Sequence, residues 1–327
     1  MPDIKGCKVK GLVQKQALFL VHTTRNQLFY PLLEVIQLGK IGVSLRRYMM
    51  KPSFDIIQPD TRPQDLLQHL LLMEVGEHMF TYIFFSRSES KLLAFRSYTI
   101  ESHPEKPAAE VIAEILASDE WLQGKPVESV FVYAYPESNL IPDELLKDGM
   151  QQTITNLVYG AVSRGQVFEE PVLNWQMHNI YRVPREISGF LKDQFPQSKQ
   201  MHVYSAWLRS VAERKDAIYV NFYPDHFMTM VIKDNKLQII QSFTYQTPED
   251  VVYYLLALAK QSSMDPHTIP LVVEGLIDEQ SSLFAEIRKY MMDIQLRSPS
   301  SNISTGELLN EYPEHYFTPI LNLALCV

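Results

Sequence analysis

Residues 1 to about 55 keep no steady hydrophobic period, whereas from Leu70 onward apolar and polar positions fall into regular blocks. Residues 70–75 and 80–85 are rich in aromatic and β-branched side chains and are separated by Gly76-Glu77-His78, a pattern that predicts a hairpin. The polar turn at 86–90 leads to a third strand over 92–98. Val111, Ile112, Ile115 and Leu116 share one face of a helix predicted over 108–121, which Gly124 and Pro126 close. Residues 130–135 then read as a short buried strand ended by Pro136. The order is β-β-β-α-β.

Much the same order recurs later. Residues 217–220 and 227–232 pair across Tyr223-Pro224-Asp225, and the turn 233–236 leads to a third strand over 237–240. A helix over 248–262 follows, with Glu249 and Asp250 in its first turn, where the helix dipole favours acids. Residues 269–273 supply the buried strand. Phe80 superposes on Phe227 at an offset of 147, and Ser97-Tyr98-Thr99 on Ser242-Phe243-Thr244 at an offset of 145. A turn shorter by two residues absorbs the difference. Alternation is common to any two hairpins; matched order, spacing and helix placement together predict an internal duplication. Between the copies lie a strand over 178–183, a helix over 184–195 opened by Pro184, and an amphipathic helix over 202–214 carrying Val203, Trp207, Leu208 and Val211. A Ser-rich loop at 298–305 precedes a closing apolar helix over 316–325.

Composition narrows the function classes. Hydrophobic residues are 46% and charged residues 21% of 327, enough apolar material for a substantial core. The net charge of −8 argues against non-specific nucleic-acid binding. Glycine numbers 12, where average usage of about 7% would give roughly 23. Phosphate-cradling loops are built from glycine, so the deficit counts against a nucleotide enzyme. Cys7 and Cys326 stand at opposite ends with no Cys or His neighbour, which fits a reducing cytoplasm. The apolar run 17–21 after the N-terminal lysines is too short for a signal-peptide core, and no stretch reaches 18 apolar residues, so a cytoplasmic protein without a membrane span is expected. The first 55 residues are basic: either they form a flexible or helical extension, or translation begins at Met49 or Met50. On both readings residues 1–48 are expected to contribute little to the fold.

Duplicated β-β-β-α-β units joined by a helix and closed by a C-terminal helix resemble the actin-like ATPase superfamily over residues 66–325. That superfamily includes actin, sugar kinases, heat-shock chaperones, and pilus-assembly and secretion-platform proteins. Within it the chain looks most like a bacterial family of unknown function with an actin-like fold, nearest by pattern to the pilus-assembly type. The helix before the second copy and the ending Thr318-Pro319-Ile320-Leu321-Asn322-Leu323-Ala324-Leu325 carry that last likeness. The resemblance implies an α/β, duplicated, ribonuclease H-like two-lobed fold with mixed sheets flanked by helices. The expected division is an extension over 1–55 that need not belong to the fold, lobe I over 56–213, and lobe II over 214–311, with the helix at 312–327 packing back on lobe I.

The superfamily's nucleotide motifs are present only in altered form. Its first phosphate hairpin reads Asp-x-Gly, the acid acting through Mg²⁺; here it is Glu74-Val75-Gly76, with Glu77 adding a charge where phosphate would lie. The second hairpin, Asn221-Phe222-Tyr223-Pro224-Asp225, has no glycine, and Pro224 has no N–H. The adenosine loop keeps Gly275 but follows it with Leu276 and Ile277 where small residues are usual. These departures lead to the expectation of a non-catalytic scaffold or adaptor that binds a protein partner and uses no cofactor. The alternative is a divergent ATPase holding ATP and magnesium through Glu74, Gly76, Asn221 and Gly275. A small-molecule enzyme using the inter-lobe cleft is a third class. No histidine pair has metal-ligand spacing, although His78 and His226 recur at the two hairpin turns. Trp207, Tyr253 and Tyr254 are candidates for a cleft or partner surface.

Overall fold

The computed structural model describes residues 51–101, 106–211 and 213–327. The expectations for residues 1–48 lie outside these. The described residues form a single unit. Its strands are β1 (Phe54–Ile57), β2 (Leu70–Gly76), β3 (Met79–Ser86), β4 (Lys91–Thr99), β5 (Glu128–Ala134), β6 (Ser138–Pro142), β7 (Gly165–Val172), β8 (Met177–Pro184), β9 (Lys199–His202), β10 (Ala217–Phe222), β11 (His226–Lys233), β12 (Lys236–Thr244), β13 (Leu271–Gly275) and β14 (Ile294–Leu296). The helices are α1 (Pro63–Leu66), α2 (Ala108–Ser118), α3 (Gln151–Tyr159), α4 (Arg185–Gln194), α5 (Val203–Ser210), α6 (Pro248–Gln261), α7 (Ser282–Ile287) and α8 (Thr318–Cys326).

Two mixed sheets carry the duplication. Sheet one runs β1-β4-β3-β2-β5-β9 and sheet two β12-β11-β10-β13-β14. Removing the edge strand β1 leaves the same order in both, with the antiparallel hairpin β2–β3 matching β10–β11. The parallel neighbours β5 and β13 follow the crossover helices α2 and α6. The offset of 147 persists inside the ladders: the register breaks between Phe84 and Phe85 in one sheet and between Val231 and Ile232 in the other. A bulge shared at one offset is hard to attribute to alternation alone.

Each central strand is buried on both faces, as its unbroken apolar run requires. Because side chains alternate, Leu71, Met73 and Val75 face α2 and α4, while Leu70 and Leu72 point to the other side. In sheet two Ile218, Val220 and Phe222 meet α6 and α7, and Ala217 and Tyr219 point the opposite way. Those opposite faces share one core with Trp207 of α5 and Ile320, Leu321 and Leu323 of α8. Helix α8 contacts both α5 and β13, so it belongs to the junction of the two sheets. Phe317 stands just before it, 4.8 Å from the Phe95 ring and 6.0 Å from Phe54 in edge-on arrangements.

Three features differ from the sequence reading. Strand β1 begins at Phe54, so residues just before 56 already pair with β4. The helix expected over 202–214 is shorter: residues 199–202 are the edge strand β9, and His202 is the extended cap whose ring nitrogen accepts the Tyr204 N–H. The segment between β5 and β9 holds a third, antiparallel sheet, β6-β8-β7, of which the pattern revealed only the middle strand.

Phe317→Ala should lower unfolding free energy by about 3–5 kcal/mol, because the ring is fully buried among three other aromatics. Urea denaturation checks this; a loss under about 1 kcal/mol would mean that the C-terminal segment is not part of the shared core.

Candidate functional site

The turns of the two equivalent hairpins approach one another and line a cleft of about 520 Å³. Gly76, Glu77 and His78 come from the first turn, and Tyr223, Pro224, Asp225 and His226 from the second. Phe54, Ile100, Pro136, Phe243 and Leu276 supply apolar walls, and Glu101 adds a third carboxylate to Glu77 and Asp225. Among the described residues no lysine or arginine lines this cleft or the smaller cavity beneath it.

The floor is built from the predicted site residues. Glu74 on β2 and Asn221 on β10 are separated by the same 147 residues and are both buried. The Tyr223 hydroxyl joins them: it accepts from Asn221 Nδ2 at 3.2 Å and donates to Glu74 Oε1 at 2.6 Å. The acid implied as a magnesium ligand is therefore engaged by a phenol from the opposite lobe. Burial raises the Glu74 carboxyl to about 7, against the smaller opposing effect of the Tyr223 hydrogen bond. Burial, followed by the neighbouring Glu74 charge, pushes the Tyr223 phenol well above its ordinary value, so it stays a donor.

Gly275 ends β13 beside Phe222, with φ of +85°. A Cβ there would lie 2.3 Å from Asn221 Oδ1 and 2.3 Å from the Phe222 carbonyl oxygen, so the position requires glycine for space as well as conformation. Gly76 is less constrained; its Cβ would meet the Ala134 carbonyl oxygen at 3.4 Å. Leu276 borders the cleft, while Ile277 is buried and its carbonyl bonds His315 Nε2 at 2.7 Å.

At the mouth, Asp225 is bracketed by both turn histidines. His226 Nδ1 lies 2.7 Å from Oδ1, and His78 Nε2 of the other lobe lies 3.7 Å from Oδ2. The His226 ring stacks on Tyr223 at 4.5 Å and 6°. Among the described residues no group of three or more His, Cys, Asp or Glu could hold a metal ion.

The sequence reading did not single out Glu274. It sits beside Asn221 across the parallel ladder, accepts the Trp207 indole N–H and meets Arg297 Nη1 at 3.1 Å. Its only signal was an acid inside an apolar run. Trp207 is thus buried, not a surface anchor; Tyr254 stacks on Phe243 at 4.3 Å, and Tyr253 is exposed. Among the described residues no helix is long and apolar enough to cross a membrane.

The profile of the family described as "Protein of unknown function (DUF3822)" matches residues 59–294. A search of curated protein sequences returned no match. A Bacteroides thetaiotaomicron protein with an actin-like ATPase fold and unknown function superposes with a TM-score of 0.66 and 14% identity, covering 82% of this chain and 99% of that one. A chain of the PilM–PilN type IV pilus biogenesis complex gives a TM-score of 0.50 at 10% identity, over 79% of this chain and 98% of that one. The ethanolamine utilization protein EutJ from Carboxydothermus hydrogenoformans gives 0.45 at 14% identity, over 83% and 93%. The fold is that of the actin-like ATPases.

Stability should register the raised Glu74 carboxyl. A folded-state value near 7 against an ordinary 4.5 means the folded protein holds a proton that the unfolded chain releases. Stability from this group is therefore full below the unfolded value and declines as pH rises through the folded one. Relative to Glu74→Gln, the wild type should lose about 2–3 kcal/mol between about pH 5 and pH 8. Parallel pH profiles of the two proteins in urea denaturation would refute the assignment.

Proposed function

We propose that this chain, which belongs to the DUF3822 family, is a non-catalytic actin-like scaffold that binds a protein partner and does not use ATP. The observation that carries this reading is the Tyr223–Glu74 hydrogen bond across the cleft floor. The fold's phosphate hairpins normally face a nucleotide between them; here a phenol and a carboxyl that burial raises to about 7 meet there instead. An acid with one oxygen engaged by a phenol, in a site where burial disfavours its ionised form, is a poorer magnesium ligand than a solvated aspartate, because hard cations take ionised oxygens.

The rest of the cleft argues the same way. Glu77, Glu101 and Asp225 face the space, and Pro224 has no N–H to offer a phosphate. Each carboxylate near a polyphosphate costs about 1 kcal/mol at partial exposure. Each missing charge-assisted bond removes about 1.5–3 kcal/mol. Together they weaken a micromolar site by several powers of ten, since each 1.4 kcal/mol is about tenfold. The residues present do not suit a magnesium–triphosphate, and no step is routed through one.

A surface suited to a partner is found at the end of α3. Leu157 is 84% and Val158 56% exposed, and Val162 just beyond is 48% exposed. Apolar side chains left together at a surface are a common mark of interaction sites. The neighbour solved as the PilM–PilN complex supports the idea that this fold serves in an assembly.

Calorimetry with ATP and Mg²⁺ should show no saturable binding tighter than about 100 µM. Tighter binding that disappears in Glu74→Ala would replace the scaffold reading with that of a divergent ATPase. A partner identified by affinity capture should bind the purified protein directly and lose at least about tenfold in affinity with Leu157→Asp plus Val158→Asp. Unchanged affinity would place the interface elsewhere.

A further inference from the structure

The described structure buries four carboxyl side chains: Glu74, Asp119, Glu170 and Glu274. Three of them have a cation in reach. Asp119 meets Arg96 at 2.7 Å, Glu274 meets Arg297 at 3.1 Å, and Glu170 feels the charge of Arg209. Glu74 has none; its bonded partner is the neutral Tyr223 hydroxyl. Burial of an acid without a counter-charge costs free energy, so a counter-charge brought by a ligand would be well received.

There is room for one. Under the cleft floor lies a niche of about 50 Å³, lined by Glu74, Thr81, Ser97, Asn221, Gly275 and Tyr316 among others. Measured as space open to the centre of a water-sized sphere, roughly 10–15 Å³ already admits one such group. The niche and the cleft share Phe54, Met79, Ser97, Tyr223 and Leu276, so the two spaces are neighbours across the same walls. We propose that the niche takes the head of a primary amine, an ammonium group, whose apolar body lies along Phe54, Phe243 and Leu276 in the cleft above.

The polar geometry suits that head group. A primary ammonium has three N–H donors and no acceptor. The niche offers the Glu74 carboxylate, Asn221 Oδ1, and the hydroxyl pair of Thr81 and Ser97, which lie 2.7 Å apart. Asn221 already spends its Nδ2 on Tyr223, which leaves its oxygen to accept. The aromatic walls add attraction for a cation, and Glu77, Glu101 and Asp225 at the mouth favour its approach. A phosphate or carboxylate ligand would meet four acids and, among the described residues, no lysine or arginine.

Binding must be linked to pH. The groups facing Glu74 are Thr81 from β3, Asn221 from β10 and Tyr223 from the second hairpin turn, with Glu274 of β13 behind Asn221. Farther out stand Tyr316 at the niche and His78, His226, Asp225 and Glu77 at the mouth. An arriving ammonium requires Glu74 in its ionised form, so Glu74 releases its proton on binding. Affinity should rise through the range in which Glu74 titrates.

The test is calorimetry of the full chain with n-butylamine, phenethylamine and tryptamine, beside 2-phenylethanol and 3-phenylpropionate as neutral and anionic counterparts. At least one amine should bind saturably, about tenfold more tightly at about pH 8 than at about pH 6, and more tightly than either counterpart. Glu74→Gln should abolish both the preference for the amine and the pH dependence. Where that variant fails to fold, the wild-type pH profile and the amine–alcohol comparison still decide the matter. Equal binding of amine and alcohol, a flat pH profile, a retained preference for the amine in a folded Glu74→Gln, or no saturation by any amine up to about 10 mM would each overturn the proposal. It is independent of the scaffold reading, which the ATP and partner measurements test separately.

Discussion

A carboxyl placed where two sheets meet must find a partner or resist ionising, and the geometry of this cleft follows from how Glu74 does both. The Tyr223 phenol reaches it from the other lobe at 2.6 Å, and that reach brings the second hairpin turn over the floor. His226 then stacks on the Tyr223 ring, and Asp225 is held between His226 and His78. One buried hydrogen bond thus ties the lobes at the point where the fold leaves them open. A bond of this kind in a low-dielectric interior is worth more than its exposed equivalent, and leaving its acceptor unpaired is costly.

The two halves show how a duplicated framework diverges without losing its shape. Strand order, bulge position and crossover helix are common to both sheets. The side chains at matched places differ in chemistry: Glu74 corresponds to Asn221, and the glycine turn of the first hairpin corresponds to a proline turn in the second. The framework positions are apolar and fixed by packing, so they tolerate little change. The hairpin turns face the cleft, where packing asks less. That division lets one fold carry quite different site chemistry.

The shared core explains why the lobes are not independent. Helices α5 and α8 fill the space between the inner faces of both sheets, with Trp207 from one and Leu321 from the other. Trp207 also donates to Glu274, so the same helix that packs the core fixes the buried acid behind Asn221. Arg297 joins this network and bonds the Ser210 carbonyl at 2.8 Å, tying β14's end to the end of α5. Motion of one lobe relative to the other would have to disturb these contacts as well as the floor.

The alternation and helical periods of the chain determined the duplicated β-β-β-α-β units, their offset and the hairpin turns that meet at the cleft. Those signals are local, repeated every two or 3.6 residues, and strong in buried elements. Glu74, Gly76, Asn221 and Gly275 were legible through the resemblance, as the places where the superfamily's nucleotide motifs fall, and the repeat itself matches only Glu74 with Asn221. The extended cap at His202, the strand β9 and the small sheet β6-β8-β7 were not, because short edge strands have little pattern and pair with distant segments. Only the tertiary structure decided that Tyr223 reaches Glu74 across 149 residues, or that Glu274 is matched by Arg297 while Glu74 faces no cation among the described residues. Such facts depend on which charges the fold leaves together away from water, and no spacing along the chain encodes that.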